Sequence, residues 1–216
     1  KQTRGLSPSE LIRGQTSVHA GAVITASHNP KEYNGIKLCY GDVLPIGGES
    51  GMTEIRDIAL AGPLVMKDEG KMAEADIRKE YVDRLFSMVE PGRIASLRVV
   101  VDLGNGMEGA IIGDIFSRLR QVDFHALFLE PDGAFPNHEA NPLKEETLDA
   151  LKKKMAQVGA DVGFAFDGDG DRIGVVDERG EAIPGDLLTA LIAPLVLRDA
   201  PGAAVLYDVR SSLVAA

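Results

Sequence analysis

The sequence predicts an α/β protein of consecutive domains, each with a mixed sheet flanked by helices. Three observations support this fold class. Short apolar and β-branched runs alternate along the chain with stretches whose apolar residues recur at helical spacing. Turn sequences such as Asn34-Gly35 separate these stretches. Pro91-Gly92 then breaks the chain after an amphipathic helical stretch, which predicts a domain boundary near residue 92.

The first predicted domain covers residues 1–91. Ser7-Pro8-Ser9-Glu10 forms a capping box, which predicts that a short helix begins there. The small and β-branched residues of Ala20–Thr25 predict a buried strand, and the alternation over Ile36–Tyr40 predicts a second one. Helices are predicted over Thr53–Ala61 and Glu74–Val89.

The second predicted domain covers residues 92–200 and repeats the alternation of strands and helices. Its strands are predicted at Leu97–Leu103, Val122–Leu129, Asp161–Phe166 and Ile173–Asp177. Its helices are predicted at Glu108–Leu119, Glu145–Val158 and Leu187–Leu197, the last apolar enough to be largely buried. Another strand is expected at Ala203–Tyr207, and we interpret residues 201–216 as the start of a third domain.

Composition excludes several classes of function. The 216 residues include 23 Lys and Arg against 33 Asp and Glu, for a net charge of -10. This acidity argues against general binding to nucleic acid or to anionic membranes. Cys39 is the one cysteine, so no intramolecular disulfide can form, and no apolar run reaches the length of a membrane span. We therefore expect a cytoplasmic protein.

The strongest local signal is the run Asp167-Gly168-Asp169-Gly170-Asp171-Arg172, which lies between two predicted strands. Two like charges about 4 Å apart repel by roughly 4 kcal/mol at an effective dielectric of 20, and this loop contains three carboxylates. A hard divalent cation such as Mg²⁺ relieves that repulsion, because it prefers carboxylate oxygens. The sequence therefore predicts a Mg²⁺ site.

Two other interpretations of this loop compete with the Mg²⁺ site. An ordinary surface turn rich in Asp and Gly seldom alternates so strictly between apolar strands. An EF-hand calcium loop also fits the carboxylate spacing, with Glu178 in its twelfth position. Arg172 stands where that loop needs glycine, and strands rather than helices flank it, so the EF-hand is rejected.

A second candidate centre is Ser27, which follows a predicted strand in the turn Ser27-His28-Asn29-Pro30. Pro30 keeps Asn29 out of the helical region and sharpens the turn. The hydroxyl would then project from a strand end, which is where α/β proteins place their ligands. An ordinary turn accounts for these residues equally well when they are taken alone. A Ser-His-Asp hydrolase is not favoured, because the Gly-x-Ser-x-Gly nucleophile elbow is absent.

The run Gly104-Asn105-Gly106-Met107-Glu108-Gly109 matches the dinucleotide-binding fingerprint, with Glu130 about twenty residues further on. Asp102 directly before the run would repel a pyrophosphate. A tight strand-to-helix turn accounts for the glycines without a nucleotide, and we favour that interpretation.

Several of these stretches together resemble the α-D-phosphohexomutase family. Thr25–Pro30 with Tyr33–Lys37 is similar to that family's active-site serine loop, and Asp167–Arg172 is similar to its metal loop. Two further stretches resemble family motifs and occur in the order expected along the chain. They are Asp102-Leu103-Gly104-Asn105-Gly106 and Phe135-Pro136-Asn137-His138-Glu139-Ala140-Asn141-Pro142. The last stretch is more like the phosphomannomutase/phosphoglucomutase branch than like phosphoglucosamine mutases, which stay an alternative.

The resemblance implies that Ser27 is carried as phosphoserine. It would transfer its phosphoryl group to the 1-phosphate or 6-phosphate ester of mannose or glucose at that sugar's free hydroxyl, which gives a bisphosphate intermediate. Mg²⁺ would be bound by Ser27, Asp167, Asp169 and Asp171. Arg172 would bind the phosphoryl group, and His28 and Lys37 are both candidates for proton transfer or charge stabilisation. Together these expectations require the Ser27 hydroxyl to lie about 3 to 6 Å from the three aspartates, with an ion between.

Family members have four domains, so the resemblance also implies that this chain is a fragment. It would contain the later part of the first domain, the second domain and the start of the third. The segments expected to bind the sugar and the distal phosphate would be missing. We therefore expect the isolated fragment to be inactive in interconverting hexose phosphates, with at most slow transfer of phosphate between the serine and a sugar at high concentration. The competing hypothesis from another class is a non-catalytic α/β module that binds Mg²⁺ or Ca²⁺.

Overall fold

A computed structural model of the protein describes residues 18–64, 70–212 and 214. The helix predicted to begin at Ser7 lies outside the described residues. The described part divides into two compact units. The first takes up residues 18–26, 32–64 and 70–91, and the second takes up residues 27–31 and those from 92 onward. The predicted α/β class with a mixed sheet and flanking helices is confirmed.

The first unit contains a two-stranded antiparallel sheet and two helices. Strands β1 (Ala20–Ile24) and β2 (Ile36–Tyr40) pair so that Ile24 lies opposite Ile36. Helix α1 (Thr53–Leu60) follows the prediction closely. Helix α2 (Arg78–Met88) begins later than predicted, two residues after Asp76, whose side chain accepts a hydrogen bond from the Arg78 amide.

The prediction that the Ala20–Thr25 strand is buried is wrong. Val23 is 57% exposed and Ile24 is 72% exposed. The apolar sequence predicted burial, but β1 has a single strand partner among the described residues, and no described element covers these two side chains.

The second unit contains a five-stranded mixed sheet. Its strands are β3 (Arg98–Asp102), β4 (Asp123–Leu127), β5 (Val162–Phe166), β6 (Ile173–Val176) and β7 (Ala182–Ile183). Their order across the sheet is β4-β3-β5-β6-β7. The first three strands in this order are parallel and the last two pairings are antiparallel. The two-residue β7 was not predicted from the sequence.

Three helices accompany this sheet: α3 (Ile112–Phe116), α4 (Asp149–Val158) and α5 (Gly185–Asp199). The expected helix over Glu108–Leu119 is divided into a tight helical turn at Met107–Ala110 and the helix α3. Ile111, with φ -128°, lies between the two and separates them. The expected helix over Glu145–Val158 likewise begins as a tight turn before α4. None of the described helices combines the length and the apolar character needed to cross a membrane.

The core of the second unit lies on both faces of β3. Val100 packs with Leu151 and Met155 of α4 on one face. Val99 and Val101 pack with Leu103 and Ile112 on the other. This arrangement explains the uninterrupted apolar run of the strand, which is typical of a parallel strand with both faces covered.

Two predictions near the end of the chain are wrong. Helix α5 is not largely buried, since Leu191 is 68% exposed and Leu195 is 58% exposed. Apolar composition predicted burial, but the described residues do not cover this side of the helix. The Ala203–Tyr207 segment forms no strand; no described strand lies beside it to pair with its backbone.

The sheet order determines which loops meet. Asp102 at the end of β3 lies opposite Ala165 near the end of β5, and the two strands are parallel. The turn that follows β3 therefore lies next to the loop that follows β5. Loops at the carboxyl ends of neighbouring strands are the usual place for ligands in α/β folds.

Candidate functional site

The Ser27 side chain contacts the loop that follows β5. Its hydroxyl donates a hydrogen bond of 2.7 Å to Oδ2 of Asp167, whose side chain is fully buried. Ser27–Lys31 and the aspartate loop belong to the same compact unit. The expected proximity of the serine to the aspartates is confirmed. The separation is that of a direct hydrogen bond, shorter than the metal-bridged distance expected from the sequence.

The backbones of the two loops also approach closely. Ser27 has φ +53°, a left-handed conformation that costs a non-glycine residue about 1 to 3 kcal/mol. A Cβ atom at Gly168 would lie 2.5 Å from the Ser27 carbonyl oxygen. Glycine at position 168 therefore allows the serine backbone to lie against the aspartate loop, and the strained turn directs the hydroxyl at Asp167.

Three carboxylates converge in this loop. Asp167, Asp169 and Asp171 each offer one oxygen, and these oxygens lie within 4.8 Å of one another. At that separation each pair repels by about 3 to 4 kcal/mol at an effective dielectric of 20. The aspartates become more exposed along the loop, from a buried Asp167 to an exposed Asp171. The group therefore faces solvent on one side.

Arg172 offsets part of this repulsion. Its backbone amide donates a hydrogen bond of 3.1 Å to Asp167 Oδ1. Its guanidinium Nε lies 4.0 Å from Asp167 Oδ2 and 3.8 Å from Asp171 Oδ1. The guanidinium remains partly exposed, so it can also bind an anion at the open side of the loop.

The chemistry of the donor set fits Mg²⁺. Three carboxylates and the Ser27 hydroxyl supply only oxygen, which hard divalent cations prefer over nitrogen and sulfur. The buried Asp167 gives the group a fixed anchor, and the open side leaves room for water or a phosphate oxygen. The residues present are therefore suited to this ion.

The turn after β3 supports the aspartate loop from the other side. The Met107 amide donates a hydrogen bond of 3.1 Å to the Gly168 carbonyl. Gly170 has φ +70°, and a Cβ atom there would lie 1.8 Å from Glu108 Oε1. The glycine run at residues 104–109 thus forms a tight turn, and Met107 and Glu108 within it lie against the aspartate loop.

Sequence reasoning missed the role of Glu108. Burial, together with the charges of Asp167, Asp169 and Asp171, raises the pKa of this carboxyl to about 7. Its Oε2 atom is buried and has no hydrogen-bond partner among the described residues. The available signal was an acidic residue within a glycine-rich turn, but its meaning depends on which loop lies beside that turn.

We expect Glu108→Gln to make the protein more stable at about pH 8 and to leave its stability almost unchanged at about pH 4. A carboxyl with a raised pKa destabilises the fold once pH rises above its ordinary value, and the penalty is complete above the raised pKa of about 7. Thermal melts across this range would show the difference. Glu178→Gln, at an exposed position after β6, is the control. Equal melting temperatures for Glu108→Gln and wild type at about pH 8 would contradict this interpretation.

The other predicted site residues divide between the two units. His28 Nδ1 lies 3.3 Å from Ser27 Oγ, so His28 and Arg172 join Ser27 and the aspartates in the second unit. Lys37 belongs to the first unit, where it is the second residue of β2 and lies opposite Val23.

Two protein-family models match the chain. Residues 9–64 match phosphoglucomutase/phosphomannomutase α/β/α domain I, and residues 79–180 match α/β/α domain II of the same family. Together the two matches span well over half of the 216 residues.

Individual relatives agree with these matches. A phosphomannomutase from Salmonella montevideo is 37% identical over 95% of this chain and 47% of its own length. A relative from Xanthomonas campestris that bears the name phosphohexose mutases is 37% identical, also over 95% of this chain and 47% of its own length. The crystal structure of a phosphoglucomutase/phosphomannomutase family protein from Burkholderia thailandensis superposes with a TM-score of 0.70. It is 35% identical over 86% of this chain and 39% of that one. The chain thus spans about half the length of the curated relatives it matches.

Proposed function

Because the chain belongs to the phosphoglucomutase/phosphomannomutase family, we propose that it contains the phosphotransfer centre of a phosphohexose mutase. The enzyme would move phosphate between the 1- and 6-positions of mannose or glucose. Ser27 is the residue that carries the phosphoryl group. The observation that carries the proposal is the 2.7 Å hydrogen bond between Ser27 Oγ and Asp167, next to two more carboxylates.

The proposed reaction has two transfers. In the first, a hydroxyl oxygen of the sugar monophosphate attacks the phosphorus on Ser27, the bond between phosphorus and Ser27 Oγ breaks, and a sugar bisphosphate forms. In the second, Ser27 Oγ attacks the other phosphate of that bisphosphate, which releases the isomeric monophosphate and restores phosphoserine. Each transfer moves one proton from the attacking hydroxyl to the leaving oxygen, so the cycle consumes nothing besides the substrate.

The residues around Ser27 suit this reaction. His28, whose Nδ1 lies 3.3 Å from Ser27 Oγ, would supply a proton to that oxygen when it leaves and accept one when it attacks. Lys37 remains the second candidate for this role, or for stabilising charge. Arg172, partly exposed beside the aspartates, would bind the transferred phosphoryl group with its guanidinium.

We propose Mg²⁺ as the ion that Asp167, Asp169, Asp171 and the Ser27 oxygen bind. The bound ion would cancel repulsion between phosphate and carboxylates and stabilise the negative charge of the transfer. Without compensation, a phosphoserine with a charge near -2 beside a fully buried Asp167 would be strongly disfavoured. The donor set therefore accounts for how a phosphate can be tolerated at this position.

The proposed partner is a hexose phosphate rather than a macromolecule. The net charge of -10 opposes binding to nucleic acid and to anionic lipid. Cys39 is a free thiol, and a cytoplasmic location for the enzyme would fit this.

The test is a half-reaction on the chain itself. Purified protein is dephosphorylated and incubated for a long time with Mg²⁺ and a high concentration of glucose 1,6-bisphosphate or mannose 1,6-bisphosphate, because the chain lacks the segments expected to bind the sugar. Intact mass and peptide mapping follow. Gain of one phosphoryl group on Ser27 supports the proposal. Binding of Mg²⁺ without phosphorylation by any hexose bisphosphate, glucosamine 1,6-bisphosphate included, would favour a non-catalytic metal-binding module instead. Phosphorylation by the glucosamine compound alone would favour the phosphoglucosamine branch.

Replacing Asp169 with asparagine is expected to weaken Mg²⁺ binding by at least about tenfold while leaving the fold intact. The substitution removes one of three mutually repelling charges, so the metal-free protein should be as stable as wild type or slightly more stable. Calorimetric titration with Mg²⁺ and a thermal melt without metal measure the two effects. Asp199→Asn, which removes an exposed charge at the end of α5, is the control. Loss of several degrees of melting temperature in the metal-free Asp169 variant would show that the repulsion is not the dominant effect.

A further inference from the structure

A buried ion pair lies beside the site, at the carboxyl end of β3. Asp102 is 1% exposed. Its Oδ1 accepts a hydrogen bond of 2.9 Å from the Gly104 amide, and its Oδ2 lies 3.0 Å from His138 Nε2. A carboxylate this deeply buried is tolerated only when its charge is compensated. His138 supplies that compensation.

The contacts of the His138 ring define its protonation state. Nδ1 lies 2.8 Å from the Glu139 carbonyl oxygen, which can only accept a hydrogen bond. Nε2 faces the Asp102 carboxylate, whose Oδ2 accepts a hydrogen bond from a protonated Nε2. The ring makes both contacts as a donor when both nitrogens carry a proton, as in an imidazolium. Asp102 accordingly raises the pKa of His138 above its ordinary value, against the opposing effect of burial.

The pair is connected to the aspartate loop through the turn at residues 104–106. Asp102 binds the first amide of that turn, and the next residue, Asn105, has φ +60°. Asn137, the neighbour of His138, donates a 2.8 Å hydrogen bond to the side chain of Asn105. Met107, directly after these residues, donates a hydrogen bond from its amide to the Gly168 carbonyl.

We propose that His138, as an imidazolium paired with Asp102, is a positioning residue for the aspartate loop, and that the loop is most firmly ordered while His138 is protonated. The inference rests on the proposed function only where it concerns the rate of phosphorylation. The ordering of the turn follows from the hydrogen bonds alone. A neutral imidazole would carry one proton and would have to give up one of its two contacts.

The sign of the pH effect follows from the groups around the ring. The charged group that faces the ring from β3 is Asp102. Phe128, after β4, presents an aromatic ring at 5.2 Å, and Glu139 directs its carboxylate to Lys144. Because the pKa of His138 is raised, the pair stabilises the turn fully below the ordinary histidine value. That contribution is lost as pH rises through the raised pKa.

The experiment combines two measurements on the complete chain. Nitrogen-15 NMR of the histidine ring is expected to show both nitrogens of His138 protonated at about pH 6. Amide exchange at Gly104 and Met107, corrected for its intrinsic pH dependence, should become about tenfold faster as His138 loses its proton. His138→Gln should show the faster exchange at every pH. His125→Gln is the matched control, because His125 also contacts an aspartate, Asp123, at 3.2 Å.

Two results would overturn the inference: a neutral His138 ring at about pH 6, or Met107 exchange in wild type that does not change across the His138 titration. Both use wild-type protein, so they do not depend on the folding of a variant. If hexose bisphosphate phosphorylates Ser27, His138→Gln should slow that reaction about tenfold. Absence of phosphorylation in wild type would refute the proposed function, while the exchange data would still decide the role of His138.

Discussion

Replacing Ser27 with alanine is expected to reduce transfer of phosphate from hexose 1,6-bisphosphate to the chain by roughly 10⁴-fold or more, because the variant lacks the accepting oxygen. Ser27 Oγ, the proposed acceptor, lies 2.7 Å from Asp167 of the acidic loop. Radiolabel incorporation measured over time, followed by peptide mapping, gives the rate. Ser117→Ala is the matched control, since that hydroxyl donates to a backbone carbonyl near the end of α3.

Replacing Ser27 with alanine should also lower the stability of the protein, and a glycine variant separates this effect from the loss of phosphorylation. Loss of the hydroxyl removes a hydrogen bond to a fully buried carboxylate and should cost about 1 to 3 kcal/mol in the metal-free protein. Ser27→Gly also removes the hydroxyl but relieves the left-handed backbone at φ +53°, so it should be more stable than Ser27→Ala. Both variants should be equally inert to phosphorylation. Phosphate incorporation in either at the wild-type rate would place the acceptor elsewhere.

The part of the site that the sequence predicted is the part encoded by consecutive residues. Asp167 to Arg172 lie within one loop, and the apolar runs on either side of it showed that strands flank it. Ser27 could be connected with that loop through the family resemblance, because two long stretches agreed in their order along the chain. Local sequence alone does not make that connection, since a serine followed by Asn29-Pro30 is equally typical of an ordinary surface turn.

The missed residues depend on the order of strands. Glu108 and His138 matter because β3 lies between β4 and β5, which brings three loops together, and the sequence does not encode that order locally. The errors on burial have a related cause. Apolar residues in β1 and α5 predict a covering partner, but they do not show whether the described chain supplies one.

Replacing Gly168 with alanine is expected to slow phosphorylation of Ser27 about 100-fold while Mg²⁺ still binds. A Cβ atom at position 168 would lie 2.5 Å from the Ser27 carbonyl oxygen and 3.4 Å from the Phe135 ring. Relief of the first contact requires the serine backbone to move by roughly 1 Å, and a displacement of that size can cost about 100-fold in rate. The carboxylates belong to the loop itself, so their mutual geometry need not change.

Gly113→Ala provides the comparison, because a Cβ atom in that part of α3 meets no other atom within 4 Å. That variant should be phosphorylated at the wild-type rate and be equally or slightly more stable, as expected for alanine in a helix. The decisive pair of measurements on Gly168→Ala is the phosphorylation rate and the Mg²⁺ affinity. Loss of both would mean that the aspartate loop itself collapses. A rate within about threefold of wild type would mean that the reaction tolerates a displaced serine, and that close approach of the two backbones does not position the phosphoryl acceptor.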